Sequence, residues 1–211
     1  GPLGCVLGRL LGLALVFRFL AGLLGLKASA RFLEVGPNLL RRLTDPLTDL
    51  PNRRAFETRF AQVQGLAERL HPVSLVLLDI DRFKRVNDRY GHGVGDQVLL
   101  ALARSLKALT RRADLAARLA GDEFVVLLSG LDVSGVNAWY QRLSDHFRNE
   151  LNALDLDLQT GLSAGQTWLG SKPGDTMSEA LARADHALYQ AKARGSSQLV
   201  LDTAPAGDGT E

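Results

Sequence analysis

Three acidic residues in two separate stretches of the sequence are the side chains best suited to carry chemistry. Asp79 lies inside an almost wholly apolar run, and Asp122 and Glu123 are consecutive in a short stretch between two other apolar runs. An unpaired charge in an apolar segment is costly, so Asp79 predicts a cation beside it. Acids in turns are usually only solvated, and from the turn alone a plain surface turn is the favoured interpretation. That interpretation changes if the two stretches meet, because neighbouring carboxylates repel unless a cation neutralises them.

Short strands are the elements that must bring these acids together. Residues 73–80 are nearly all apolar, which is typical of a strand buried on both faces. Residues 115–119 and 124–128 are apolar runs on either side of a turn that contains Gly121, and this pattern predicts a hairpin. If the first strand lies beside this hairpin in one sheet, the three acids meet at one end of it.

The remaining periodicity predicts helices packed on this sheet. Apolar spacing indicates a helix after residue 54 and further helices over 82–89, 97–109, 132–153 and 178–193, with strands over 156–168 and 197–202. The order β–α–α–β–β–α–β–α–β predicts an α/β fold of the α+β type, with a mixed central sheet of about five strands flanked by helices.

Two connections near the acids have ordinary structural explanations. Asp81 directly precedes the helix predicted over 82–89, where a carboxylate commonly caps the helix N-terminus. Residues 90–96 contain three glycines and are interpreted as a loop, which either lets a ligand approach the backbone or merely lets the chain turn. Neither feature predicts a site by itself.

Charge and cysteine content exclude several classes of protein. Residues 1–44 contain six Lys or Arg and one acid, whereas the rest of the 211-residue chain contains 19 basic and 22 acidic residues. The mildly acidic body argues against a nucleic-acid-binding domain. A single cysteine, Cys5, excludes an intrachain disulfide framework and a cysteine-based zinc site, and it fits a reducing compartment.

The N-terminal leader, residues 5–44, is apolar and basic. Residues 1–4 (Gly-Pro-Leu-Gly) are similar to a protease-cleavage scar, and the absence of an initiator Met indicates a piece of a longer protein. The apolar run 6–26 contains Arg9 and Arg18, so it fits the end of a transmembrane helix and a soluble dimerising or interfacial helix about equally well. The basic residues that follow predict a cytoplasmic body, tethered to the membrane in the first case.

The three acids offer the chemistry of a hard metal ion. Oxygen ligands without cysteines or a histidine cluster select Mg²⁺ or Mn²⁺, and these ions act chiefly on phosphates. With Lys84 and the glycine-rich stretch nearby in the sequence, a phosphoryl-transfer site is the economical interpretation.

Four motifs, in order, resemble those of the GGDEF family of diguanylate cyclases. They are DPLTDLPNRR at 45–54, DIDRFKRVNDRYGHGVGD at 79–96, RLAGDEF at 118–124 and ADHALYQAK at 184–192. Four long motifs in register make a chance match far less plausible than any one of them alone. The resemblance implies a GGDEF domain over 45–203, related in fold to nucleotidyl cyclases and polymerase palms. The polar composition of residues 204–211, with Gly and Pro, predicts a disordered tail.

The resemblance also implies an activity, the condensation of two GTP into cyclic di-GMP with release of pyrophosphate. Asp79, the backbone carbonyl of Ile80, Asp122 and Glu123 would hold the Mg²⁺ or Mn²⁺ ions. Asp122 or Glu123 would assist deprotonation of the attacking 3′-hydroxyl. Lys84 would face the triphosphate and its developing charge.

Substrate recognition is implied at four further positions. Lys192 would face the triphosphate together with Lys84. Asn87 and Asp96 would read the guanine edge, with His92 nearby. Asp96 could accept from the N1–H and the exocyclic amine of guanine, which adenine lacks, so selectivity for guanine has a physical basis.

Assembly and regulation follow from the same resemblance. Each protomer would hold one GTP, so catalysis would require a homodimer, and the leader is a natural device for enforcing it. Arg111 and Asp114 match the Arg-x-x-Asp product-binding motif of the family, and Arg142 stands where a second arginine completes that site, which implies feedback inhibition by cyclic di-GMP. In a bacterial cell, the domain would be cytoplasmic, with tethering to the inner membrane through residues 5–44 as one option.

Several residues depart from the family pattern. Ala120 replaces the first glycine of the signature, which is harmless if its φ is negative and strained if its φ is positive. Asp49 stands at a usual glycine, and Ser196 and Ser197 replace an Arg-Asn pair, which removes a phosphate contact. The intact metal and guanine positions favour retained activity over the alternative, a catalytically inactive GGDEF domain that senses cyclic di-GMP or GTP. A purely structural dimerisation domain would leave the acids unexplained.

Overall fold

The protein is represented by a computed structural model that describes residues 43–67, 73–170 and 175–202. The chain divides into a unit that ends at Thr44 and a compact unit from Asp45 to Glu211, and nearly all described residues belong to the second. The predictions for the leader up to residue 42 and for the tail at 204–211 lie outside the described residues. None of the helices in the described ranges has the length and apolar character that crossing a membrane requires.

The described residues form five helices and five strands. In chain order they are α1 (Arg53–Ala67), β1 (Val73–Ile80), α2 (Phe83–Tyr90), α3 (His92–Leu109), β2 (Leu115–Ala120), β3 (Glu123–Ser129), α4 (Val133–Asn152), β4 (Leu162–Leu169), α5 (Met177–Ala193) and β5 (Leu199–Leu201). The predicted order of elements is confirmed, and so is the predicted α/β fold with a mixed five-stranded sheet.

The sheet has the strand order β2-β3-β1-β4-β5, with only β4 and β5 parallel. Strand β1 is therefore central and pairs along its length with β3 on one side and with β4 on the other. A strand with neighbours on both sides and helices on both faces must be apolar throughout, which is why residues 73–80 form one nearly unbroken apolar run.

Helices cover both faces of the sheet. One face packs against α3 and α4 through a core that includes Val76, Leu102 and Trp139. The other packs against α1 and α5 through a core that includes Phe60 and Leu188. Because successive strand residues point to opposite faces, β1 supplies side chains to both cores.

Helix α5 lies unusually close to β4 because of Gly165. A Cβ atom on Gly165 would lie 2.1 Å from the carbonyl oxygen of Ala184 and 2.2 Å from the backbone nitrogen of Leu188. Only glycine permits that approach, since any side chain would meet helix backbone. The glycine thereby sets the height of α5 above the sheet.

The prediction of a glycine-rich loop over residues 90–96 is wrong. Gly91 alone separates α2 from α3, and α3 begins at His92 rather than at residue 97. Gly91 has the positive φ of 84° that the sharp turn requires. Gly95 is needed for close packing instead, because a Cβ there would lie 1.9 Å from Oδ1 of Asn87.

Two predicted strand boundaries also need correction. Strand β4 begins at Leu162 rather than at residue 156, because the last residue of β1, Ile80, pairs with Leu162 and β1 offers no partner beyond it. The alternation over 156–161 thus occurs in irregular chain. Glu123 is the first residue of β3 and not part of the turn, which contains Gly121 and Asp122.

Candidate active site

The sheet register brings the acids of the two stretches to one end of the sheet. Asp79 on β1 is the direct antiparallel partner of Glu123, the first residue of β3. Asp122 lies in the adjoining turn, near enough to Asp79 for their charges to interact. The turn is tight because Gly121 adopts a φ of 51°, a conformation that glycine takes at little cost.

Asp79 is mostly buried and has a cationic partner. The Nζ atom of Lys192, in the last turn of α5, lies 2.8 Å from Oδ2 of Asp79. Burial raises the pKa of Asp79 above its ordinary value; the Lys192 ammonium opposes this rise, and repulsion from Asp122 and Asp81 adds to it. The cation expected beside Asp79 is therefore present as an ammonium group.

The donor set fits a hard metal ion that is also held by substrate. In the described ranges, no three His, Cys, Asp or Glu side chains are close enough together to hold a metal alone. Mg²⁺ rarely needs such a cage, because it is usually bound by one or two carboxylates together with water and substrate phosphates. Asp79 and Glu123, paired across β1 and β3, supply oxygen donors of this kind.

The four residues expected to bind substrate, other than Lys192, lie on α2 and at the start of α3. Lys84 is exposed on α2, and His92 and Asp96 are exposed in the first turns of α3. Asn87 is half-buried, and its side-chain oxygen lies against Gly95, the residue before Asp96. Because Gly91 alone connects α2 to α3, Asn87 near the end of α2 lies close to Asp96 near the start of α3.

Asp114 already has a structural role in the turn before β2. Its Oδ2 accepts a hydrogen bond from the backbone N–H of Arg111 at 3.0 Å, and its Oδ1 accepts one from the N–H of Ser129 at 3.0 Å. The carboxylate therefore ties this turn to the end of β3. The side chains of Arg111 and of Arg142, on α4, are exposed, and no ion pair involves either of them within the described residues.

Sequence reasoning missed a link between the first motif and the acidic turn. The guanidinium of Arg118 donates to Oδ1 of Asp45 at 2.9 Å, and to the carbonyl oxygen of Gly121 at 3.0 and 2.8 Å. Burial raises the pKa of Asp45, but hydrogen bonds from Thr48 and Arg118 outweigh it, and the pKa lies below its ordinary value. The opposite charges of Asp45 and Arg118 in two motifs were the only signal in the sequence.

The interpretation of Asp81 as a helix cap is wrong. The N-cap of α2 is Arg82, which has a φ of 57° and makes no side-chain capping bond. Asp81 is only 5% exposed, and its carboxylate accepts hydrogen bonds from Ser163 and Ser197 instead. The carboxylate thus joins distant segments rather than the adjacent helix.

The residues that depart from the family motifs differ in backbone conformation. Ala120 ends β2 and does not have a positive φ, so the harmless conformation is the observed one, and Gly121 takes the positive φ of that turn. Asp49, Ser196 and Ser197 do have positive φ values, of 53°, 64° and 54°. Of the four, only these three carry the strain of a left-handed conformation.

Known proteins are similar to this chain in both sequence and fold. The family model described as "Diguanylate cyclase, GGDEF domain" matches residues 42–198. Diguanylate cyclase DgcP of Pseudomonas aeruginosa is 39% identical over 167 residues, which cover 75% of this chain and 24% of DgcP. Diguanylate cyclase TpbB of the same species is 40% identical over 163 residues, which cover 74% of this chain and 37% of TpbB. The chain thus spans well under half the length of these two relatives.

Solved structures agree with this match. The coiled coil and GGDEF domain of DgcB from Caulobacter crescentus, solved in complex with c-di-GMP, superimposes with a TM-score of 0.71 at 26% identity, covering 89% of this chain and 99% of that one. The GGDEF domain of TpbB superimposes with a TM-score of 0.64 at 36% identity, covering 76% of this chain and 94% of that one. Since the family model matches most of the chain and solved GGDEF domains share its fold, the chain belongs to the family of diguanylate cyclase GGDEF domains.

Proposed function

We propose that the protein is a diguanylate cyclase that condenses two GTP molecules into cyclic di-GMP and two pyrophosphates. The proposal rests chiefly on the direct pairing of Asp79 with Glu123, beside Asp122, in a chain whose relatives are named diguanylate cyclases. In each of the two steps, the 3′-oxygen of one GTP forms a bond to the α-phosphorus of the other. The bond from that phosphorus to the oxygen bridging the β-phosphate breaks, pyrophosphate leaves, and the 3′-hydroxyl loses its proton.

The acids at this end of the sheet would hold the metal ions and accept that proton. Asp79, Asp122, Glu123 and the carbonyl of Ile80 are the proposed ligands of Mg²⁺ or Mn²⁺, which supplies charge stabilisation at the triphosphate. Asp122 or Glu123 would take the proton of the 3′-hydroxyl. Glu123 is exposed and Asp122 only half-buried, so both can reach a bound nucleotide.

Two lysines would hold the triphosphate. Lys84 is exposed, and the side chain of Lys192 is 43% exposed even while it contacts Asp79. The Lys192 ammonium can therefore turn from Asp79 to a phosphate oxygen without being drawn out of a buried position. An ammonium is a compact point charge on a flexible stem, which suits a group that exchanges one oxygen partner for another.

Guanine recognition is proposed at the junction of α2 and α3. The Asn87 side chain lies against Gly95, the residue before Asp96, and His92 lies one helical turn before Asp96. A carboxylate that accepts from two guanine N–H groups would be left unpaired beside adenine. Because the bound base would exclude water from this carboxylate, leaving it unpaired would be costly, and such a site discriminates between the two bases.

Catalysis would require a homodimer, since two GTP molecules must meet.

We also propose that cyclic di-GMP inhibits the protein by binding at Arg111, Asp114 and Arg142. The exposed guanidinium groups of the two arginines are free to form bidentate contacts, whereas Asp114 would act mainly by holding the turn. Location in the cytoplasm, with the leader against the inner membrane or in a dimer contact, is part of the same proposal.

Chromatography of a reaction with GTP and Mg²⁺ tests the activity. The wild-type protein should form cyclic di-GMP, and Asp122→Ala should abolish it, whereas the exposed surface change Asp145→Ala should not. Unchanged turnover in Asp122→Ala would contradict the assignment of the acids.

The alternative is an inactive GGDEF domain that binds GTP or cyclic di-GMP, and the changes at Ser196 and Ser197 favour it because they remove a phosphate contact. It would replace the cyclase proposal if the wild type formed no product yet bound either nucleotide in calorimetry.

Calorimetry with cyclic di-GMP also tests the product site. Arg111→Ala should lose binding, whereas the neighbouring exposed Arg112→Ala should retain it. Equal affinity in both variants would refute the site.

A further inference from the structure

The carboxylate of Asp81 is buried next to the candidate site without belonging to it. Its Oδ1 accepts from the Ser163 hydroxyl at 2.5 Å, and its Oδ2 accepts from the backbone N–H and the hydroxyl of Ser197, both at 2.9 Å. Its own backbone is bound as well, since its N–H donates to the Gly161 carbonyl and its carbonyl accepts from the Thr160 hydroxyl. One residue thus joins the end of β1 to the start of β4 and to the connection that follows α5.

The connection held by Asp81 has a costly backbone conformation. Gly195, Ser196 and Ser197 have consecutive positive φ values of 117°, 64° and 54°. For residues with a side chain, such a conformation costs roughly 1–2 kcal/mol each. Bonds from Gly195 and Ser196 back to α5 compensate part of that cost, but the N–H of Ser197 finds its acceptors in Asp81 and Ser163.

This strained turn, residues 195–197, directly follows the helical turn that carries Lys192. The N–H of Gly195 donates to the Lys192 carbonyl, and that of Ser196 donates to the Ala191 carbonyl. The position of the turn is thereby transmitted to the end of α5. Asp79 and Asp81 lie two positions apart on the chain, so one short segment contacts the end of α5 at two points: at the Lys192 ammonium and at the turn.

We propose that Asp81 is a positioning residue for Lys192. By holding the 195–197 turn, it fixes the last turn of α5 at the distance from which the ammonium reaches Asp79 and, in the cyclase reaction, the triphosphate. Asp79 is held by the sheet and Lys192 by a helix, and the Asp81 carboxylate joins these two supports beside the site. The part that concerns catalysis rests on the proposed function, whereas the contact between Lys192 and Asp79 does not.

The chemistry of the carboxylate explains why this residue is an acid. Its two oxygens receive three hydrogen bonds, and one donor is a backbone N–H, which can never accept. Asparagine can keep its oxygen toward Ser197 and turn its amine toward the Ser163 hydroxyl, so Asp81→Asn should be a partial rescue. Asp81→Ala leaves the buried Ser163 hydroxyl without its acceptor, and it leaves the Ser197 N–H with the Ser163 hydroxyl as its remaining acceptor.

A double-mutant cycle separates positioning from general stability. In the wild-type background, Asp81→Ala should lower kcat about tenfold to hundredfold, the range expected for a catalytic group displaced by about 1 Å. The kcat of Asp81→Asn should lie between those of the wild type and Asp81→Ala. With Lys192→Met already present, Asp81→Ala should lower kcat less than about twofold further, because the group that it positions is gone.

Tyr140→Phe is the matched control, since it removes another buried hydrogen bond near the start of β4, from the Tyr140 hydroxyl to the Leu162 carbonyl. It should lower the melting temperature without lowering kcat. Losses in kcat that multiply independently in the Asp81 and Lys192 variants would overturn the proposal, as would an equal loss in Tyr140→Phe.

An arm without catalysis keeps the proposal testable if the wild type forms no product. In the absence of nucleotide, Lys192→Met should reduce the stability to urea in the wild-type background but have little effect when Asp81→Ala is present. If Asp81→Ala does not fold, Asp81→Asn and Ser197→Ala replace it in both cycles. An equal effect of Lys192→Met in all backgrounds would refute the positioning role whatever the activity.

Discussion

Replacing Lys192 by methionine should destabilise the nucleotide-free protein because it removes the cationic partner of a buried carboxylate. Two unit charges 2.8 Å apart, the distance from Lys192 Nζ to Asp79 Oδ2, interact by roughly 1.5 kcal/mol in water and by about 6 kcal/mol at an effective dielectric constant of about 20. The Lys192 side chain is 43% exposed, so solvent screens the pair and the lower figure is the better guide. We therefore expect a loss of about 1–2 kcal/mol at neutral pH.

The pH dependence of this loss identifies its source. Burial raises the pKa of Asp79 above its ordinary value of 3.8, so ionisation of Asp79 opposes folding, and the Lys192 ammonium offsets part of that effect. Without Lys192, the pKa of Asp79 rises further. The stability difference between the two proteins is then absent at low pH, where Asp79 is protonated in both. It should grow as pH rises through the wild-type pKa of Asp79 and level off above the pKa in the variant.

Urea unfolding measured from acidic to neutral pH, without nucleotide or divalent metal, is the appropriate assay. Lys84→Met is the control, because it removes an equally flexible lysine that is exposed and has no ion pair in the part of the chain that the structure describes; its stability should change by less than about 0.5 kcal/mol at every pH. A loss of stability in Lys192→Met that does not vary with pH would refute the electrostatic reasoning and point to lost packing instead.

Three further expectations concern the backbone. Ser196→Gly should raise the melting temperature by a few degrees, because a φ of 64° costs serine about 1 kcal/mol that glycine avoids; a lower melting temperature would contradict this strain. Gly165→Ala should cost about 3 kcal/mol or more, because its Cβ would lie 2.1 Å from helix backbone, and near-wild-type stability in urea would show that α5 can move away. Ala120→Gly should change stability by less than about 0.5 kcal/mol and turnover by only a small factor, because the φ of Ala120 is not positive; rescue of a dead wild type by this change would instead favour the inactive binding module.

The pattern of the central strands could be read from the sequence because it is determined locally. Strand β1 has neighbours on both sides and covered faces, so its whole length had to be apolar, and the predicted bounds of 73–80 match the observed ones. The meeting of Asp79 with Glu123 required one additional assumption, that β1 lies beside the hairpin, and the observed register satisfies it. The roles of these acids in metal binding and catalysis stay predictions.

Glycines were misread because their effect depends on neighbours that the sequence does not reveal. In the stretch 90–96, only Gly91 makes a turn, whereas Gly95 is small so that the side chain of Asn87 can pack against it. Composition indicates a loop in both cases. The start of α3 at His92 could not be recognised from the sequence, because glycine occupies every second position there and hides the helical pattern.

Contacts across long sequence separations account for the other misses. Asp81 looked like a cap because the helix follows it, yet its partners Ser163 and Ser197 lie 82 and 116 positions later. Asp45 and Arg118 are 73 positions apart, and each is unremarkable within its own motif. The spacing of apolar residues indicates whether a segment is a helix or a strand, but it does not show which side chains from distant segments meet.

The arrangement of charge at the site shows why those long-range contacts matter. Asp81 and Asp122 both lie within electrostatic reach of Asp79, and Glu123 is the direct partner of Asp79 in the sheet. Asp81 is compensated by hydrogen bonds to Ser163 and Ser197, whereas Asp79 depends on a single half-exposed ammonium. Asp81 is therefore fully hydrogen-bonded and holds the framework, whereas the charge of Asp79 is compensated only in part. Burial and two neighbouring acids make the charge of Asp79 costly in the empty site. A cation bound beside Asp79 would relieve that cost, and this is the physical basis of the metal site proposed above.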